Sequence, residues 1–310
     1  MTEKPFPRLS FERYEFRLIL RRPLALPEFA GAVFRGAFGY AFRRTACLRP
    51  GEECSRCLLA VGCPYAYVFE TPHPERLGEL PHPFVLQPPP PRPVWPAGEE
   101  LPVGVVLVGR GAAHLPYFIY AFQEMGRRGL GPQRVPFLLT TVRAAGDGRE
   151  VFRADRARLE DPGPGDEAER LQGMSAGGTA AGLEFLTPLR LRQEGRMVDR
   201  LEFPAFFKAA VRRLRALSYY HCGGEPRPEL DRVFEAARGV RWTAEDAWRS
   251  CRRFSTRQHA GVALGGVTGR LTLSGLPGEV WPVLRLAERL HVGKASSFGL
   301  GRFRLETTGG

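Results

Sequence analysis

Apolar and polar positions alternate from Phe11 to Leu20, the period of a strand with one covered face. Pro27 then introduces a helical pattern running from Glu28 to about Cys47. Beyond a cysteine-rich insert, Tyr65 to Phe69 reads as a short second strand. Thr71 to Glu100 holds ten prolines, including the run Pro88 to Pro91, and reads as an extended surface loop. Leu101 to Gly109 follows as a buried strand, His114 to Gly129 as a helix and Phe137 to Ala144 as a strand. The first half is therefore β-α-β-β-α-β.

A hairpin-like piece near Glu150 to Ala154 and a Gly-rich stretch, Asp161 to Gly182 with six glycines, separate the halves. The order then repeats. Leu183 to Arg192 is a strand, and Glu202 to His221 is a helix with Phe203, Phe206, Phe207, Ala210 and Leu214 on one face. Phe254 to Ser274 supplies two strands turning near Gly265 and Gly266; a helix, Glu279 to His291, and a strand, Phe298 to Glu306, close the chain. The expected class is α+β: two tandem ferredoxin-like domains, each a four-stranded antiparallel sheet with two helices on one face. Residues 1–146 form the first, with a cysteine insert at 47–63 and the Pro-rich loop at 71–100. Residues 147–182 are hairpin and linker, and 183–310 form the second domain, with a glycine-rich loop at 293–301. A chain of 310 residues is long enough for two cores.

Charge narrows the partners. Lys and Arg number 45 against 33 Asp and Glu, a net charge of +12, and only Lys4, Lys208 and Lys294 are lysines. Arginine binds phosphate oxygens bidentately and stacks on bases, so the balance favours nucleic acid over acidic metabolites or a membrane surface. Base composition of the genome and thermal adaptation are an equal source of the arginine excess. No stretch approaches the roughly 18 apolar residues that cross a bilayer, and Met1 to Pro5 does not open a secretion signal. A cytoplasmic protein with reduced thiols is expected.

Two motifs carry chemistry. Gly293-Lys294-Ala295-Ser296-Ser297-Phe298-Gly299-Leu300-Gly301-Arg302-Phe303 lies between a helix end and a strand, where glycines let backbone N–H groups approach a phosphate. It is not a Walker loop, because Glu288 stands where the first glycine is needed and Ala295 where Ser or Thr is needed. Nor is it a dinucleotide fingerprint, which follows a strand and opens a helix. A helix cap followed by an edge strand is the plainer reading. The other motif is Cys47, Cys54, Cys57 and Cys63, four thiols within 17 residues. In a reducing compartment they read as a structural zinc site, and an iron–sulfur cluster fits the same ligands. Cys222 and Cys251 stand apart and read as buried small apolar residues.

The run from Leu290 to Phe303 resembles the glycine-rich signature of the RAMP superfamily of CRISPR-associated proteins, and most of all its sixth Cas family, endoribonucleases that cut precursor CRISPR RNA within its repeats. Arg35-Gly36-Ala37-Phe38-Gly39, Phe118 to Gly131, Leu201 to Phe207, Ser218 to Gly223 and Phe254 to Gln258 agree with it, so the resemblance spans nearly the whole chain. It implies tandem ferredoxin-like domains. It also implies metal-independent cleavage, in which the 2′-OH attacks the adjacent phosphate and leaves a 2′,3′-cyclic phosphate and a 5′-OH.

Such cleavage needs a base, an acid and positive charge at the phosphorane. The resemblance implies a histidine on or just after the first helix, but Glu28 to Gly62 contains none and Tyr40 occupies the place. A tyrosine, with its ordinary pKa near 10, is a weak base. Tyr40, His259 and Lys294 are the catalytic candidates, Tyr40 being equally readable as a packed aromatic. His73, His82 and His114 read as surface residues, and His221 as a cation at a helix end. Contacts to repeat RNA are expected from Arg35, Arg43, Arg44, Arg257, Gln258 and Arg302, and from Gly293, Ser296, Ser297, Phe298, Gly299 and Gly301 of the loop. Arg212, Arg213 and Arg215 read as a solvated helix face. Other Cas subunits are candidate partners, and a repeat-binding subunit without cleavage is the alternative function.

Overall fold

The computed structural model describes residues 4–71, 80–156, 158–160, 163, 165–225, 230–250, 252–255 and 260–307, with the backbone alone for 252–255 and 260–263. His73, Cys251, Arg257, Gln258 and His259 lie outside these residues. The chain divides into two compact units, Phe11–Gly165 and Met1–Ser10 with Asp166–Gly310. It is a mixed α+β protein built on antiparallel sheets.

The first unit runs β1 (Phe11–Leu20), α1 (Gly31–Ala46), β2 (Phe84–Gln87), β3 (Glu100–Val108), α2 (Leu115–Arg128), β4 (Phe137–Ala144), β5 (Glu150–Arg153) and β6 (Arg158–Leu159). Its sheet order is β2-β3-β1-β4-β5-β6. Tyr14, Phe16, Leu18 and Leu20 are buried at every second position of β1. Against them α1 sets Phe34, Phe38 and Phe42, one face at a spacing of four, and α2 sets Phe118, Phe122 and Met125. Phe38 is the hub, its ring 4.9 Å from Phe118 and within 5.8 Å of Phe42, Phe69, Phe84 and Phe122.

Two expectations fail in this unit. Tyr65 to Phe69 is not a strand; Ala66–Glu70 is a π-helical turn, ended by Thr71 in the left-handed region, that plugs Val68 and Phe69 into the core. The second strand is β2, inside the stretch read as a proline loop. Its Phe84, Val85 and Leu86 are fully buried between Pro83 and Pro88, and β2 is a sheet edge, where proline's missing N–H costs no ladder bond.

The second unit runs α3 (Glu167–Gly173), β7 (Ala180–Leu189), α4 (Phe203–Cys222), α5 (Asp231–Arg238), β8 (Arg241–Arg249), β9 (Arg252–Ser255), β10 (Ala260–Ala263), β11 (Gly266–Ser274), α6 (Trp281–Leu290) and β12 (Phe303–Thr307). Its sheet order is β8-β11-β7-β12. The first four strands of the first unit's sheet, β2-β3-β1-β4, stand in the same relation to chain order.

The segment read as a linker is partly structural. Ala168 and Leu171 of α3 are buried, and the Gln172 amide accepts from the Phe6 N–H at 2.8 Å and donates to its carbonyl at 3.0 Å. The N-terminal residues thus belong with the second unit. Arg285 donates to the Met174 carbonyl at 3.0 Å and the Ser175 carbonyl at 2.5 Å. Strand β8 escaped the periodicity reading because all nine of its residues are exposed, which leaves no alternation to detect. His221, read as a cation at a helix end, is completely buried. Cys222 is half-buried rather than buried, its Sγ 3.7 Å from the Ser10 carbonyl. Among the described residues no helix is long and apolar enough to cross a membrane.

Candidate nucleic-acid interface

The glycine-rich loop joins α6 to β12, and hydrogen bonds to its own chain and to the end of β7 hold it. Val292 N–H donates to the Gly301 carbonyl at 3.1 Å, Lys294 N–H to the Arg190 carbonyl at 2.8 Å and Gly301 N–H to the Pro188 carbonyl at 3.0 Å. Thr187 Oγ1 donates to the Gly299 carbonyl at 2.8 Å and accepts from the Arg302 N–H at 2.9 Å. Two glycines are obligatory for space. A Cβ on Gly301, φ +67°, would stand 1.8 Å from the Val292 carbonyl oxygen, and one on Gly293, φ +89°, would stand 2.5 Å from that of Arg190.

This geometry redistributes the expected roles. Ser296 and Ser297 are buried, and the Ser296 hydroxyl donates to the Gly293 carbonyl at 2.7 Å, so these serines build the loop from inside. The amides of Val292, Lys294, Phe298, Gly299, Gly301 and Arg302 donate within the protein, so these six N–H groups are already used by the fold. Lys294 and Arg302 are half-buried here, and Phe298 is half-exposed. Burial lowers the Arg302 pKa, as does the positive charge of Arg304, while Glu288 opposes.

Arg213 is not part of a solvated face. Its Nε donates at 3.0 Å to the Leu290 carbonyl, capping the negative end of α6, and burial lowers its pKa to about 10. His291 is fully buried at φ 58°, ψ 166°, a conformation that side chains rarely adopt, and its Nδ1 lies 3.3 Å from the Leu300 carbonyl. Burial, together with the charges of Arg302 and Arg213, lowers its pKa to about 3. Thr187 and His291 were given no role from sequence, and Arg213 was read as part of a solvated helix face. A lone threonine in a strand, an arginine run and a helix-end histidine each have commoner explanations.

In the first unit, α1 and α2 carry a second basic cluster. Tyr40 is 52% exposed, with the Arg128 guanidinium 4.6 Å and that of Arg44 6.0 Å from its ring centroid, so it is no packed core aromatic. Arg44, Arg127 and Arg128 share one carboxylate, Glu124, at 3.3, 3.9 and 3.9 Å, which leaves the face strongly positive. Arg128 is the residue sequence reasoning missed, and the last turn of α2 is where it could have been sought. Arg35 and Arg43 are used differently. The Arg35 guanidinium lies 4.4 Å over the Phe69 ring, in space that a side chain on Gly39 would take. Arg43 donates to the Pro50 carbonyl at 2.8 Å and the Glu52 carbonyl at 3.4 Å, tying the cysteine insert to α1. His82 and His114 are not surface residues: His82 stacks on Phe84 at 5.7 Å, and His114, its pKa lowered by burial, packs 5.0 Å from Tyr67.

From Leu48 to Gly62 the insert has no buried residue; Cys54 and Cys57 are half-buried, while Leu48, Leu58 and Val61 are 82, 96 and 96% exposed. Burial pushes the Cys54 thiol up; Glu70 adds to this, Arg43 opposes it, and Cys47 and Cys63 are near enough to contribute. The four thiols are free. Among the described residues no three Cys, His, Asp or Glu side chains are set around a common point as metal ligands.

Comparison with known proteins adds the family. An N-terminal domain model, AF_1859_N, matches residues 9–163, and the model of the CRISPR-associated endoribonuclease Cas6 matches residues 183–303. Residues 183–303 therefore form a Cas6-family domain. The Cas6 match begins in β7 and ends at Phe303, so it contains Thr187, Arg213 and the whole glycine-rich loop. An uncharacterized protein of Archaeoglobus fulgidus is 25% identical over 295 residues, 91% of this chain and 93% of that protein. Among solved structures, Thermus thermophilus Cas6 aligns with a TM-score of 0.54 at 15% identity, over 96% of this chain and 98% of that one. A Cas6 product complex gives 0.56 at 16% identity, over 95% and 98%. A partial Cas6–RT–Cas1–Cas2 complex gives 0.58 at 14% identity, over 97% of this chain and 46% of that one. At these identities the structures establish a common fold.

Proposed function

We propose that this protein binds CRISPR repeat RNA and cuts precursor CRISPR RNA by attack of the 2′-OH on the adjacent phosphate, giving a 2′,3′-cyclic phosphate without a catalytic metal. The observation that carries the reading is the stapled loop that presents Lys294 and Arg302, inside the stretch that matches the Cas6 model. Lys294 and Arg302 would bind phosphate and offset the phosphorane charge. Tyr40, on the basic face with Arg44 and Arg128, stays a candidate for moving the proton on the sequence reading alone. His259, with Arg257 and Gln258, remains part of the proposal from sequence alone. The shared strand order of the two sheets supports reading each unit as a ferredoxin-like domain. Recognition would rest on RNA shape and the 2′-OH.

The test is incubation with the repeat RNA of the source genome in EDTA, beside a copy with a 2′-deoxy at the cut site. Site-specific cutting that survives EDTA and stops with the deoxy copy supports the reading. Tyr40→Phe is then expected to slow cutting about 100-fold with little change in affinity. The absence of histidine from Glu28 to Gly62 favours a second reading, a repeat-binding subunit that does not cut. Tight binding with no product establishes that one. Cas subunits as partners are a proposal of the same rank.

Metal binding by Cys47, Cys54, Cys57 and Cys63 is a separate proposal, supported by four half-buried thiols within 17 residues beside a segment with no buried residue. About one equivalent of zinc or of an iron–sulfur cluster in the purified protein, lost in Cys54→Ser with Cys57→Ser, supports it. A metal-free preparation overturns it.

A further inference from the structure

We infer that Thr187 is a positioning residue, whose single hydroxyl sets the glycine-rich loop and the Arg302 backbone for RNA; this rests on the loop being the RNA-binding element. Thr187 lies near the end of β7. Its Oγ1 donates to the Gly299 carbonyl at 2.8 Å and accepts from the Arg302 N–H at 2.9 Å, while its own N–H donates to the Arg302 carbonyl at 3.2 Å. One side chain thus closes the turn from Gly299 to Arg302 at both ends. Both glycines of that turn have positive φ, 83° at Gly299 and 67° at Gly301, so the local backbone has wide conformational freedom unless it is pinned.

The chemistry demands a hydroxyl. Donation and acceptance by one atom exclude every apolar residue, and valine, the same size and shape, satisfies neither partner. The fixed end of the turn is Arg302, which immediately precedes β12 and is half-buried. Other bonds hold the first half of the loop: Lys294 N–H to the Arg190 carbonyl, and Arg213 Nε to the Leu290 carbonyl at 3.0 Å. In the second half His291 Nδ1 lies 3.3 Å from the Leu300 carbonyl, and Thr187 is the side chain bonded to both Gly299 and Arg302. Its removal is therefore expected to loosen Gly299 to Arg302 and leave α6 in place.

The experiment compares Thr187→Val and Thr187→Ser in the full chain by two readouts. Without RNA, amide exchange across residues 298–303 is expected to quicken about tenfold or more in the valine variant and to stay parental in the serine variant. With repeat RNA, the valine variant is expected to bind about tenfold more weakly, and its salt dependence to fall by about one phosphate contact. Serine restores both. Unchanged exchange in the valine variant overturns the inference, as does faster exchange with undiminished RNA affinity, or a serine variant no better than valine. Should the parent protein fail to bind repeat RNA while exchange responds as described, the proposed function falls and the pin stands.

Discussion

The glycine-rich loop and the cysteine insert are both irregular connections, and they are held in opposite ways. From Val292 to Arg302 the loop has Val292, Ser296, Ser297, Gly299, Leu300 and Gly301 buried, and the amides of Val292, Lys294, Phe298, Gly299, Gly301 and Arg302 are bonded within the loop or to the end of β7. From Leu48 to Gly62 the insert has no buried residue, exposes its aliphatic side chains and is tied to α1 through Arg43. Packing and buried hydrogen bonds are enough to fix the first shape. The second is held by turns, the Arg43 guanidinium and an Arg49–Glu52 ion pair, so it is the region where a bound ion would add most.

The sharpest way to break this contrast is to add one methyl group in each region. Gly301→Ala forces a Cβ to within 1.8 Å of the Val292 carbonyl oxygen at positive φ, and a loss of about 3 kcal/mol is expected in denaturant unfolding. Gly62→Ala meets nothing within 4 Å, and its effect should stay within about 0.5 kcal/mol. Equal costs would mean that the loop yields as freely as the insert.

A smaller effect comes from pH. His291 titrates in the unfolded chain near its ordinary 6.5, but in the folded loop only at about 3. Below pH 6.5 the unfolded chain takes up a proton that the folded one refuses. Stability from the neutral ring is therefore complete above about 6.5 and is lost as pH falls toward 3. Between pH 7 and pH 5 the loss is about 2 kcal/mol, and His291→Asn should remove that slope in chemical-denaturation titrations. A parental slope in the variant would place the titration elsewhere.

The smallest effect belongs to the insert surface. Leu58→Ser removes an aliphatic side chain that is 96% exposed, so melting should shift by less than about 0.5 kcal/mol. A larger loss would show that Leu58 is packed and that the insert has a core after all.

The parts of the chain legible without coordinates were those with a period. Helix α1 shows its Phe34, Phe38 and Phe42 stripe, and α4 and α6 are placed correctly, because amphipathic helices on a sheet must repeat every three or four residues. Strands β2 and β8 were missed for opposite reasons, one wholly buried between prolines and one wholly exposed, each lacking alternation. The loop was legible as a motif through its glycines, yet its working parts were not. Arg213 reads in sequence as one of a surface run and turns out to cap a buried helix end.

Sequence by itself determined which segments fold and what charge they carry. Local periodicity, cysteine and glycine spacing, and an excess of arginine are properties of neighbouring residues. It also determined that no histidine stands on α1. Only the tertiary structure decided what each polar side chain is used for. Arg35 lies over Phe69, Arg43 holds the insert, Ser296 closes its own loop, and Thr187, 112 residues before Gly299, bonds to it. Hydrogen bonding and burial depend on which distant segment arrives beside a group, and neither residue type nor spacing along the chain encodes that directly.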